Sequence, residues 1–135
     1  SFPTRRSSDL YAPNDIRSPN FDINTTDLGG IGNSDENIKS GTGKPADTKA
    51  ALDQVDAIPV EDGWTYDQSK GAPPGLGDAE HTGPMAQRVR KVMGDKVAPG
   101  GKVIDMVSMN GKLMAAVQEL SKEVKQLKKT KRASA

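Results

Sequence analysis

Apolar side chains are scattered over the first hundred residues and regular after them. From Met106 to Lys129 there is no proline, and the only glycine is Gly111. Leu113, Val117, Leu120, Val124 and Leu127 recur at alternating steps of four and three. That is a heptad seam with Val117 and Val124 at a and Leu113, Leu120 and Leu127 at d. Extended backwards, it places Met106 at d and Asn110 at a. So narrow a stripe gains little from helix formation alone and needs a partner helix or a core. The polar positions agree. Glu119 and Glu123 precede Lys125, Lys128, Lys129, Lys131 and Arg132, so cations gather where the helix dipole favours them. Glu123 and Lys128 stand in the g-to-e′ relation that links neighbouring helices. The pattern predicts a coiled-coil helix over residues 112–129 and a basic tail over 130–135. The competing reading is a surface helix packed on its own domain. Valine at a with leucine at d leans toward two strands, and a seam of about two and a half heptads does not fix the strand number.

Upstream, the pattern is short and broken. Residues 11–31 are dense in Asn, Asp, Pro and Gly, with isolated Ile16, Phe21, Ile23 and Leu28. They read as short strands and turns, the end of a β-rich shaft or a linker. Ser34 and Asp35 are cap residues for a helical turn through Ile38. Asp47 is a candidate N-cap for a helix from Thr48 to Val55 whose apolar face is Ala51, Leu52 and Val55, with Pro59 ending the unit. Val60 to Asp67 is the best strand candidate, placing Trp64 and Tyr66 on one face. Residues 70–78 read as a loop or hairpin excursion. Pro84 suits the first position of a second helix, where Met85, Val89, Val92 and Met93 share a face before Gly94. Val103 to Val107 is a short strand or the run into the last helix. The sum is an α+β domain: a small mixed helix and short-strand body, then a long C-terminal helix.

Composition fits a small core completed by association. Apolar residues are 33% and aromatics 4% of 135 residues, with 14 glycines and 9 prolines. With no cysteine there is no disulfide and no thiolate chemistry. The net charge of +1 is uneven, with residues 112–135 at +5 and the remainder at −4. The basic tail is read as solubilising and dipole-matched, not as a nucleic-acid or membrane contact. No apolar run approaches membrane length.

Candidate chemistry is confined to one place. Gly41-Thr-Gly43-Lys44-Pro45 lacks phosphate-loop spacing and runs into a helix breaker. His81 has no histidine or cysteine companion, so neither a metal nor a cofactor is expected, and it reads as a structural hydrogen-bonding residue. The methionines read as core or seam filling. Ser34 and Lys39 are different. A serine becomes a nucleophile when a base takes its proton, and a lysine whose pKa is lowered can be that base. The two are five apart, with Asp35 and Asn37 between them.

These elements, in this order, resemble the C-terminal intramolecular chaperone domain of phage tail fibres and tailspikes, the endosialidase type or peptidase family S74. The matching stretches are Ser34-Asp35-Glu36-Asn37-Ile38-Lys39, Ala51-Leu-Asp-Gln-Val55, Trp64-Thr-Tyr66, His81-Thr-Gly-Pro-Met-Ala-Gln-Arg-Val89 and Ala115-Ala-Val-Gln-Glu-Leu120. They cover nearly all of residues 34–129. Asp15-Ile-Arg-Ser-Pro19 with Phe21-Asp22 is also similar to a fibre segment that precedes such domains. The resemblance implies a domain that helps its host chain fold and form a homotrimer of identical chains, then cuts itself from the upstream fibre region. Carried over, Ser34 is the nucleophile, Lys39 activates it, and the scissile bond joins Asn33 to Ser34. Asp35, Asn37 and His81 are supporting candidates. The implied setting is the bacterial host cytoplasm during assembly, or the virion tail fibre if the bond stays intact. Two departures stand out. Asn37 occupies the position of a family arginine, supplying a hydrogen bond but no charge, and Pro84 replaces a bulky apolar residue. The first bears on cleavage more than on folding.

Residues 1–10 match the in-frame translation of a common sequencing-adapter oligonucleotide. They are expected to be non-native, with the natural chain continuing upstream. The expected organisation is therefore 1–10 artefact, 11–33 shaft end or linker, 34–111 chaperone core, 112–129 coiled-coil helix and 130–135 basic tail. Two other functions compete: a trimerisation module that stays on the fibre uncleaved, and a receptor- or glycan-binding tip using Trp64 and Tyr66.

Overall fold

The computed structural model describes residues 33–134. The 1–10 segment and all of the 11–33 segment but Asn33 lie outside the described residues, as does Ala135. The chain falls into two units that divide between Pro45 and Ala46.

Among the described residues of the first unit, the regular element is a 3-10 turn, Glu36–Ile38, with Asp35 as its N-cap. Every described residue up to Pro45 is exposed, so the described part of this unit is held by local hydrogen bonds.

The second unit begins with helix α1, Thr48–Asp56. Asp47 caps it as expected, accepting the Ala50 N–H at 3.0 Å. Strand β1, Glu61–Trp64, pairs antiparallel with β2, His81–Gly83, in a two-stranded sheet. The partners are Glu61 with Gly83, Asp62 with Thr82, and Trp64 with His81. The register slips between Asp62 and Trp64. Gly63 stands at that slip with φ 73°, a backbone that residues with a Cβ rarely adopt. The sequence pattern carries β1 on to Asp67 and misses β2. The strand in fact stops at Trp64, because Asp67 caps a 3-10 turn over Gln68–Lys70. Helix α2, Ala86–Met93, starts two residues after Pro84. The extended run of β2 continues through Met85 (φ −87°, ψ 139°), so the first helical residue is Ala86 and not the proline.

Gly94 ends α2 as the pattern predicts. Asp95 closes the following turn, accepting the Gly100 N–H at 2.8 Å and Arg90 Nε–H at 3.0 Å. These bonds, the backbone one foremost, hold its carboxyl below the usual carboxylate range. Residues 103–105 lead into helix α3, Met106–Ser134. Asp105 caps it by accepting from Val107 N at 3.0 Å and Ser108 N at 3.2 Å. The helix therefore takes in residues 106–111, expected in the core segment, and continues through the basic tail to Ser134.

Two small apolar clusters hold this unit. Ile58, Val89, Val97, Ala98 and Met109 form one, with Val92, Met93 and Ile104 against it. Ala51, Ala115 and Ala116 form the other, flanked by Leu52 and Val55. The second is the contact of α1 with α3. Alanines let the two backbones approach closely, and polar bonds border them: Thr48 Oγ1 donates to Glu119 Oε1 at 2.8 Å, and Lys112 Nζ donates to Gln54 Oε1 at 2.9 Å. Among the described residues the fold is mixed α and β, with three α-helices, the last of them long, and one two-stranded sheet.

Candidate functional site

Ser34, Asp35, Asn37 and Lys39 lie together in the first unit. Asp35 Oδ1 accepts two hydrogen bonds from Asn37, from the backbone N at 2.9 Å and from Nδ2 at 3.0 Å. The carbonyl of Asp35 accepts from Ile38 N at 3.1 Å, and that of Glu36 from Lys39 N at 3.3 Å. The chain thus folds back over Glu36–Ile38, and Lys39 leaves the turn in an extended conformation. Its Nζ reaches the Ser34 hydroxyl at 2.7 Å. A hydroxyl and an amine in contact can exchange a proton, and the peptide bond from Asn33 lies next to the same hydroxyl.

His81 belongs to the second unit, in strand β2. Its ring packs with Trp64 at 5.1 Å and with Tyr66 at 5.3 Å between centroids, and Trp64 meets Tyr66 edge-on at 5.3 Å. Trp64 Nε1 donates to the Gly83 carbonyl at 3.3 Å. His81 Nε2 is buried with no hydrogen-bond partner among the described residues. Aromatic packing thus holds this ring, where the sequence reading had it hydrogen-bonded. The two aromatics considered for glycan contact are turned toward each other and toward His81.

The seam residues occupy one face of α3, and α1 leaves that face open. Leu113 is 43% exposed, Val117 64%, Leu120 51%, Val124 42% and Leu127 68%. Met106 and Met114 are exposed as well, while Met109 is buried. The buried positions Ala115, Ala116 and Glu119 are on the face toward α1. Glu119, on the polar face by the heptad pattern, is 6% exposed. Its carboxyl is held below the ordinary glutamate value, first by the Thr48 hydroxyl and then by Lys122 at 3.2 Å. No short-range pattern could signal this, since Thr48 is 71 residues away.

Among the described residues no His, Cys, Asp and Glu cluster is arranged to hold a metal ion, and no helix is long and apolar enough to cross a membrane.

Along the chain, a serine–lysine turn in the first unit is followed by a second unit with a small mixed α and β body and a long, half-bare helix. Residues 34–98 match the family model Peptidase_S74, described as chaperone of endosialidase. Over this stretch the chain is similar to that family. The match begins at Ser34 itself and ends at Ala98, in the larger apolar cluster. Neither the curated proteins nor the solved structures contain a match to the chain.

Proposed function

We propose that this domain assembles a phage tail fibre or tailspike as a homotrimer and then releases itself by cutting the bond between Asn33 and Ser34. The observation that carries the reading is the 2.7 Å contact of Lys39 Nζ with Ser34 Oγ at the first residue of the family match. In the cleavage step Lys39, as the free amine, takes the hydroxyl proton. Ser34 Oγ then attacks the carbonyl carbon of Asn33. The C–O ester bond forms as the C–N bond breaks, and the proton passes to the departing amine of Ser34. Water then hydrolyses the ester, leaving a carboxylate on Asn33 and the hydroxyl on Ser34. Nucleophile and scissile bond share one chain, so the step needs only local placement.

A lysine serves as a base when its surroundings disfavour the ammonium ion. In the single chain both partners are exposed, so cleavage awaits cover from identical chains or from the upstream fibre region. This ties the cut to assembly. Three copies meeting through Leu113, Val117, Leu120, Val124 and Leu127 bring three fibre chains into register and lower the entropic cost of starting the shaft. The cut then makes assembly irreversible. On this reading release happens in the bacterial host cytoplasm.

The bare stripe on α3 also supports a second reading, a trimerisation module that stays on the fibre uncut. Intact mass under denaturing conditions separates the two. The full chain should split before Ser34, and the Ser34→Ala chain should stay whole. A split that survives Ser34→Ala removes Ser34 as nucleophile. An unsplit parent leaves the assembly role and transfers the function to the uncleaved module.

A further inference from the structure

We infer that Asp35 is the positioning residue of the Ser34–Lys39 pair, acting as a hydrogen-bond acceptor and not through its charge. The inference deepens the self-cleavage reading and rests on it. Five residues of extended chain span about 16 Å. A lysine side chain reaches roughly 6 Å from its Cα. The amine therefore meets the hydroxyl only because the chain turns between them. That turn is the Glu36–Ile38 element, and none of its own residues is buried.

Among the described residues, the one whose hydrogen bonds close it is Asp35. One carboxylate oxygen gathers both N–H groups that Asn37 offers, and its backbone carbonyl takes the Ile38 N–H. Lys39 meanwhile is directed to Ser34. A carboxylate facing the amine directly would stabilise the ammonium ion and oppose its use as a base. Here the carboxylate is turned into the bend, where it orders the chain. Asn37 completes the arrangement with a neutral donor, so the turn closes without the cation an arginine would bring. The amide of an asparagine at position 35 keeps an oxygen acceptor and drops the charge, which makes the two roles separable.

The test uses the full chain with Asp35→Ala, Asp35→Asn and Asn37→Ala. Loss of an N-cap side chain costs about a factor of five in the folded turn. Cleavage followed by intact mass should slow about fivefold in Asp35→Ala and return to within about twofold of the parent in Asp35→Asn. It should slow only about twofold in Asn37→Ala, which keeps the backbone donor. Sedimentation should show the same assembly for all four chains, separating positioning from misfolding. Nuclear Overhauser contacts between the Lys39 ε and Ser34 β protons supply a readout that needs no cleavage. They should be present in the parent or its Ser34-intact precursor, lost in Asp35→Ala and restored in Asp35→Asn. If Asp35→Ala keeps rate and contact, or Asp35→Asn falls as far as alanine, the inference is overturned. A parent that never splits, yet shows this pattern of contacts, sinks the cleavage reading and leaves the positioning role standing.

Discussion

Single residues in this chain do two kinds of work, and their legibility follows from how far they reach. Asp35, Asp47 and Asp105 each bond to backbone within three residues, and cap chemistry of that kind is written in the local sequence. The nearness of Ser34 to Lys39 is equally local. Glu119 is the opposite case, since a residue of α1 buries it. The Thr48 hydroxyl and Lys122 favour its ionised form, so its pKa in the folded chain lies below the unfolded value. A carboxyl with a depressed folded pKa contributes stability that is present above the unfolded value and is lost as pH falls through the folded one. Thr48→Val removes the leading donor and leaves the carboxylate facing a methyl group. The melting temperature of Thr48→Val should fall below the parent's at pH 7. The gap should narrow as pH drops through the glutamate range, because the parent loses the same interaction there. Calorimetry from pH 7 to pH 3 gives the result. A gap constant across that range would mean that the hydroxyl acts through packing and not through the ionised carboxylate.

At the scale of elements, α3 has two working faces. One carries Ala115 and Ala116 onto α1; the other carries the leucine and valine stripe, which stays exposed among the described residues. The heptad pattern made the stripe and the helix readable. The alanine face was invisible to it, because alanine carries little hydrophobic signal and its burial depends on a helix some sixty residues upstream. Strand β2 escaped for a similar reason. Its three residues, His81, Thr82 and Gly83, have no alternation of their own and become a strand only by pairing with β1 across the Gly63 slip. The alanine contact is tight, so enlarging it should matter more than its modest area suggests. Ala115→Leu should destabilise the unit by about 1–3 kcal/mol through overpacking against Ala51. Leu113→Ala, on the open face, should leave the monomer's own packing unchanged. Urea denaturation at one protomer concentration, below the association range, compares the two. Equal losses would indicate that the alanine face is loose enough to repack.

For the whole molecule, assembly and chemistry are proposed to be one event, and the two units give separate handles on it. The serine–lysine turn has no core of its own. The second unit has two clusters built largely from alanine and valine, with Val89 the largest fully enclosed side chain among the described residues. Such a body gains much by pooling its exposed apolar face with identical copies. Leu120 lies at the middle of that face and is 51% exposed in the single chain. Leu120→Asp should therefore fold as a monomer, because the side chain already meets water there. It should fail to associate, because three carboxylates would converge in a dry seam. If cover from identical chains is what lets Lys39 act as a base, the same change should stop cleavage, although Leu120 lies 86 positions from Ser34 in the sequence. Native mass spectrometry reads the assembly, and denaturing mass spectrometry of the same sample reads the cut. A monomeric Leu120→Asp that cleaves in full would break the link between trimer and base. Cleavage would then be a property of the serine–lysine turn alone, and the cover that favours the free amine would have to come from its own chain.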